Sequence, residues 1–129
     1  MTAPAQPEEL NLGLLCFIAA RALESRVLAE LAVTGFADLT PAQGRIAARI
    51  GPGGTRIGEL AEAALVTKQT ATATVDRLER AGYVRRVPDP ADARARLVVL
   101  DERGVQAVAV ARRVEAEVEA EWVHHLGPR

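Results

Sequence analysis

At 129 residues, 49% of them apolar, the chain suits one compact domain or one small domain with long helical extensions, and is too short for a second independent unit. Aromatic residues make up 3% and are confined to Phe17, Phe36, Tyr83 and Trp122, so an aliphatic, mostly helical core is expected and base stacking on aromatic platforms is disfavoured. The formal net charge of −1 is unevenly spread: residues 66–100 carry seven basic and four acidic side chains, against five and seven in residues 1–65 and four and six in residues 101–129. A basic block between acidic flanks fits a local phosphate-facing surface, with scattered solvated charge as the plain alternative.

Residues 1–7, small and proline-containing, read as a disordered leader, and residues 8–129 as a single unit. A first helix is predicted from near Glu8 to Val33. Its run from Leu12 to Ala20 is apolar nearly all round, and Ala20, Leu23, Val27 and Leu31 continue one stripe at helical spacing. So apolar a helix in so small a chain is expected to bury part of itself against a second subunit. The run is about half of the roughly 20 residues a membrane span needs, and Glu8 and Glu9 stand where a signal peptide would be positive, so no membrane association is expected. Cys16 is the single cysteine, which leaves neither an internal disulfide nor a multi-cysteine metal cluster and makes a reducing cytoplasm the expected compartment.

Thr40-Pro41 marks the start of a second helix running to Ile50, where Gly51-Pro52-Gly53-Gly54 stops it. A short third helix, Gly58 to Leu65, is predicted to turn Leu60, Ala61, Ala64 and Leu65 inward. Thr67 then caps a fourth helix from Lys68 to about Ala81, closed by Gly82. Beyond Gly82 the pattern becomes extended, with strands at Tyr83 to Val87 and Ala95 to Leu100 joined by a long loop over Pro88 to Arg94. Asp101 caps a last helix with an apolar stripe of Ala107, Ala111, Val114, Val118 and Trp122, fraying toward Gly127-Pro128. The expected fold is therefore mainly α with a small β-hairpin (α+β): a winged helix-turn-helix lobe over residues 39–100, flanked by dimerisation helices over 8–38 and 101–129.

In the fourth helix Ala71, Val75 and Leu78 share one face and must pack inward, leaving Gln69, Thr72, Ala73, Asp76, Arg77 and Arg80 outside. Short polar side chains near a helix start let it lie close to base edges, and Thr67 leaves polarised amides suited to a phosphate. An ordinary solvated amphipathic helix would look the same; the hairpin tips the balance. Arg94 and Arg96 lie near its tip, and Asp92 stands two residues before Arg94, placed to hold that guanidinium in one rotamer for a narrow minor groove.

Leu60-Ala61-Glu62, Thr67-Lys68-Gln69-Thr70, the run from Asp76 to Val84, the run from Asp89 to Arg94, and Asp101-Glu102-Arg103-Gly104 together resemble MarR-family regulators. The resemblance covers about Leu39 to Gly104. It implies a homodimer with a winged helix-turn-helix on each lobe, binding palindromic duplex DNA, most often as a repressor released by a small-molecule effector. It places Thr67, Lys68, Gln69, Thr70, Thr72, Ala73 and Arg77 in the major groove, and Asp92 and Arg94 on the wing. Many members carry arginine where this chain has Ala73 and Ala93, which implies fewer or differently placed operator contacts. Members also usually continue into one more helix that completes the dimer platform, so a reduced interface or a longer polypeptide is expected. In this fold an effector would lie between the dimer helices and the DNA-binding lobe, where Leu23, Val27, Ile46 and Trp122 are the apolar candidates.

Cys16-Phe17 resembles the peroxide-sensing branch of the family. A sensor thiol needs partners that lower its pKa, and with Ala20 one turn on and Tyr83 the sole tyrosine, a buried structural cysteine is the simpler reading. His124 and His125 diverge on a helix and cannot share a metal; Glu115, Glu117, Glu119 and Glu121 read as a solvated charge run. No nucleophile-and-base pair, phosphate-cradling loop or metal motif is visible, so no enzyme activity, cofactor or metal is expected. A redox-released repressor and a winged-helix module for protein contacts are the alternatives to a ligand-released repressor.

Overall fold

The computed structural model describes residues 11–128, so the expected leader and the proposed start near Glu8 lie outside the described residues. Five helices and one hairpin follow in the order α1 (Leu12–Val33), α2 (Pro41–Ala47), α3 (Ile57–Ala64), α4 (Lys68–Arg80), β1 (Val84–Asp89), β2 (Asp92–Leu100) and α5 (Glu102–Leu126). The architecture is the expected one: α2, α3 and α4 form the helix-turn-helix lobe, the antiparallel β1–β2 hairpin is its wing, and α1 and α5 are long flanking helices.

The helix ends follow from their caps. Asn11 caps α1 by accepting from the Leu14 amide at 2.9 Å. Thr40 and Gln43 form a reciprocal capping box at the start of α2, with Pro41 at its first turn. α2 stops at Ala47 rather than Ile50 because its last turn tightens: Arg49 donates to Ile46 and Ile50 to Ala47 three residues back, at 3.1 and 3.2 Å.

α3 ends in a left-handed Leu65 with φ 57°. That geometry lets the Leu65 and Val66 amides close on the Glu62 and Ala61 carbonyls, at 3.2 and 3.0 Å, but it swings the leucine out of the core. Leu65 is 92% exposed, against the sequence expectation that it faces inward, while Leu60 and Ala61 are buried as expected. A leucine pays a steric cost in this region that glycine does not. Leu65→Gly is therefore expected to raise stability by about 0.5–1 kcal/mol, the relief of left-handed strain less the added freedom of the unfolded chain, as a higher urea midpoint at constant m.

One core holds the lobe together. Leu60, Ala71, Val75, Leu78, Tyr83, Val84 and Val98 are almost fully buried and join Leu31, Phe36, Ile46, Ile50 and Ala107 in one cluster. The wing root is sewn to the loop before α3 by Thr55, whose amide and carbonyl exchange 2.9 and 2.8 Å hydrogen bonds with Val98. The chain passes so close there that a Cβ on Gly54, which has φ +95°, would sit 2.7 Å from Val99 Cγ1.

α1 and α5 run antiparallel, since Glu30 pairs with Arg113 at 3.0 Å and Arg26 with Glu121 farther along at 2.9 Å. Ala107, Val114 and Val118 are buried, Ala111 is half-buried, and Trp122 is 38% exposed, so the predicted α5 stripe is covered as far as Val118 and opens toward solvent at Trp122. The antiparallel course brings the start of α1 and the end of α5 to the same end of the molecule. Leu12, Leu15, Phe17 and Ile18 are exposed there, as are Val123 and Leu126, and Cys16 is also exposed on the single chain, contrary to its expected burial.

The start of α5 is locked to the lobe by Arg103. Its guanidinium stacks on the Tyr83 ring, 4.3 Å from the centroid, and donates to both oxygens of Asp38 and to the carbonyls of Ala81 and Gly35. Tyr83 donates its hydroxyl to Asp38 at 2.6 Å. That bond, then Arg103, holds the Asp38 carboxyl below the usual carboxylate range, while burial and the same bond push the Tyr83 hydroxyl up. The Asp38 contribution to stability is thus complete above about pH 4 and is lost as the pH falls through the lowered value.

Candidate nucleic-acid interface

α4 presents two unlike faces. Ala71, Val75 and Leu78 are fully buried as the sequence indicates, and Thr74 joins them, tying its hydroxyl to the Thr70 carbonyl at 2.9 Å. On the other side Lys68, Gln69, Thr70, Ala73, Arg77 and Arg80 are exposed and Thr72 is half-buried. Thr67 caps the helix by accepting from the Thr70 amide at 3.1 Å and also donates its hydroxyl to Thr70 Oγ1 at 3.0 Å. The amides of Lys68 and Gln69 have no partner among the described residues and point out of the helix start. Thr72 donates to the Lys68 carbonyl at 2.8 Å, so toward a base it offers lone pairs and a methyl group rather than a proton.

The wing is longer and tighter than the sequence suggests. Its strands extend to Asp89 and Asp92, leaving Pro90 and Ala91 as the turn, where a loop over Pro88 to Arg94 was expected. Pro88 fits in β1 because that strand pairs only with β2 and its other edge is free. The register breaks between Pro88, opposite Arg96, and Asp89, opposite Asp92, so residues 93–95 bulge from β2 and carry Arg94 on the bulge. Asp92 does not hold the Arg94 guanidinium. It accepts from the Arg94 backbone amide at 3.0 Å, which shapes the bulge and leaves the side chain exposed.

The acids of this basic block are all engaged elsewhere. Arg86 of β1 reaches Asp76 at 2.6 Å and Glu79 at 2.8 Å on α4, and Arg56 before α3 reaches Asp89 at 2.7 Å and Asp92 at 3.9 Å on the wing. Lys68, Arg77, Arg80, Arg94 and Arg96 have no ion-pair partner among the described residues. Arg56 and Arg86 are absent from the sequence-derived candidates. The spacing of Asp76 and Glu79 on one helix side was a signal for a shared cation, but its owner lies across the fold.

Lined by no residue of α4 or the hairpin, an open cavity of about 730 Å³ lies between α1, α2 and α5. Leu23 and Val27 line it, together with Leu39, Ala107 and Ala111. Ile46 instead lies in the core, and Trp122 stands two turns past Glu115, the last α5 residue of the lining. Arg45 closes on Glu24 at the rim with bonds of 2.9 and 2.8 Å. Among the described residues no group of histidine, cysteine and acidic side chains is arranged to hold a metal, and no helix is long and apolar enough to cross a membrane.

Comparison with known proteins gives the same answer as the architecture. A family model described as MarR family matches residues 37–95, which contain α2, α3, α4 and the wing tip. The transcriptional regulator HosA of Escherichia coli O111:H- is 40% identical over 67 residues, 52% of this chain and 50% of that protein; the chain spans half or less of the length of the curated relatives it matches. The transcriptional regulator Tm0710 of Thermotoga maritima is 33% identical, with a TM-score of 0.63 over 96% of this chain and 83% of that one. Wild-type MarR of E. coli is 25% identical, with a TM-score of 0.69 over 92% of this chain and 86% of that one. With the fold, the matched core and these relatives in agreement, the chain belongs to the MarR family.

Proposed function

We propose that this chain is a sequence-specific, duplex-DNA-binding transcriptional regulator that acts as a homodimer on a palindromic operator. The reading rests above all on Lys68, Arg77, Arg80, Arg94 and Arg96, which have no ion-pair partner among the described residues and are grouped on α4 and the wing of a chain with no net positive charge. α4 lies in the major groove: Thr67, Lys68 and the free amides of its first turn meet phosphate, while Gln69, Thr70, Thr72, Ala73 and Arg77 face base edges and sugar. Arg94, with Arg96 behind it, enters the neighbouring minor groove, on a bulge shaped by Asp92.

The apolar ends of α1 and α5 supply the dimer surface, so residues 39–100 serve as the DNA-binding lobe and residues 11–38 and 101–128 as the dimerisation helices. The cavity beside Leu23 and Val27 has the size of a small-molecule site, for which about 300–1,000 Å³ is usual, and suits an effector that releases a repressor. Catalysis is not part of this reading, and the cytoplasm is its compartment.

Nuclease footprinting on the promoter beside the protein's own gene tests the proposal. The expected result is one protected region with two inverted half-sites about one helical turn apart, or a multiple of it. Uniform weak protection along the fragment would overturn it.

A further inference from the structure

The four acids of the basic block are paired across elements rather than along them, and the owners of the pairing cations are Arg86 and Arg56. Arg86 sits on β1 opposite Val98, the residue that Thr55 stitches to the α2–α3 loop. From there its guanidinium spans Asp76 and Glu79, three residues apart on the outer side of α4, with one nitrogen on each carboxylate. Its side chain is only 18% exposed although both partners are surface residues. A planar fork can bridge two carboxylates in this way, where an ammonium acts as a point charge.

Arg56 does the same for the far end of the wing. It closes on Asp89 Oδ2 with two nitrogens, at 3.0 and 2.7 Å, and lies 3.9 Å from Asp92. Asp89 and Asp92 face each other across the hairpin where the register breaks. Asp89 in turn accepts from the Ala91 amide at 2.8 Å, and that bond, followed by Arg56, holds its carboxyl below the ordinary range. The wing is thus fastened twice, at its root to α4 and at its tip to the start of α3.

We propose that Arg86 and Arg56 are positioning residues that lock the wing and α4 into one reading unit and set the separation between the groove-facing side of α4 and Arg94. The inference deepens the DNA-binding reading and rests on it. Two consequences distinguish it from a general basic surface. A wing free to swing would let α4 and Arg94 engage duplex separately, so discrimination between sequences would fall more than binding to any duplex. Release of Arg86 would also leave the Asp76 and Glu79 carboxylates unneutralised beside Arg77 and Arg80, so part of the loss should vanish when those acids are removed.

The test compares wild type, Arg86→Gln, Arg86→Lys and the Asp76→Asn/Glu79→Gln pair with and without Arg86→Gln. Each is titrated over a range of salt against the promoter duplex and a shuffled duplex, with circular dichroism melting as the check on folding. Arg86→Gln is expected to lower promoter affinity about tenfold or more, as befits loss of hydrogen-bonded charge pairs, and to lower the ratio of promoter to shuffled affinity. Its salt slope should stay at the wild-type value, because no phosphate contact is lost. Arg86→Lys should resemble Arg86→Gln, and Arg86→Gln should have a smaller effect in the acid-free background.

A slope reduced by about one with the ratio intact would make Arg86 a direct phosphate ligand and overturn the inference. Full rescue by lysine would overturn it as well, since charge alone would then suffice. Specific binding by wild type with Arg86→Gln unchanged sinks the positioning role and spares the DNA-binding reading. Absence of specific binding by wild type sinks both.

Discussion

Gly104→Ala is expected to cost about 1–3 kcal/mol of stability and to lower the melting temperature by roughly 5–10 °C, the scale set by overpacking against backbone in a chain of this size. Gly104 lies in the first turn of α5, where helix propensity alone would make alanine better by about 1 kcal/mol. Packing reverses the sign. A Cβ at this position would overlap the carbonyl oxygen of Tyr83 and crowd Leu100 Cδ2, 3.1 Å away. That carbonyl also accepts from the Asp101 amide at 2.9 Å, so pushing the strands off the helix would loosen the α5 cap itself. Gly58→Ala is the control, since Gly58 is also in a first helical turn and a Cβ there meets nothing within 4 Å. It should be neutral or stabilising in the same melting experiment, and equal losses at both positions would contradict the packing account.

Arg94→Ala is expected to weaken operator binding by about 1–3 kcal/mol, between roughly fivefold and a hundredfold or slightly more, with little change in melting temperature. Its side chain is exposed, makes no ion pair among the described residues, and stands on a bulge whose backbone is held by Asp92 rather than by the arginine. Removing the guanidinium should therefore subtract a DNA contact without disturbing the wing. Fluorescence anisotropy on the promoter duplex, with wild type and variant side by side, reads the difference directly. Unaltered affinity would place the wing outside the DNA interface and favour a winged-helix lobe used for protein contacts.

Features specified by near neighbours in the chain are the ones the sequence makes legible. α4 is marked at both ends by Thr67 and Gly82 and on its inner face by Ala71, Val75 and Leu78, each specified within one or two turns. The helix-turn-helix order and the hairpin follow from similar local marks. Where the reading departs from the structure, long-range or backbone terms decide. Pro88, Asp89 and Pro90 look like a loop because nothing local says that one edge of β1 is free to accept a proline. Leu65 looks like a core residue until the end of α3 demands a left-handed turn. Asp92 stands two residues before Arg94, but the reachable donor is the Arg94 amide, whereas its carboxylate leans toward Arg56, 36 positions earlier in the chain.

The same limit explains which functional residues the sequence reveals. The outward face of α4 and the basic wing can be named from spacing alone, whereas spacing assigns no role to Arg56 or Arg86, and Arg103 enters only as part of a family motif. Each gains meaning only when strands, loops and helices far apart in the chain come together: Arg86 with Asp76 and Glu79, Arg56 with Asp89, Arg103 with Asp38 and the Tyr83 ring. Leu23 and Val27 line the cavity, but Ile46 is drawn into the core and Trp122 lies two turns beyond the lining, because apolar character alone does not fix where three helices from distant parts of the chain converge.

The most direct test of the central claim is the ratio of the affinities of the full chain for the promoter duplex and for a shuffled duplex of the same length, at near-physiological salt. The account predicts a ratio of about a thousand or more, with affinity falling steeply as salt rises because Lys68, Arg77, Arg80, Arg94 and Arg96, which have no ion-pair partner among the described residues, displace counterions as they approach the duplex. Equal affinity for the two duplexes, or no binding to either, would contradict it.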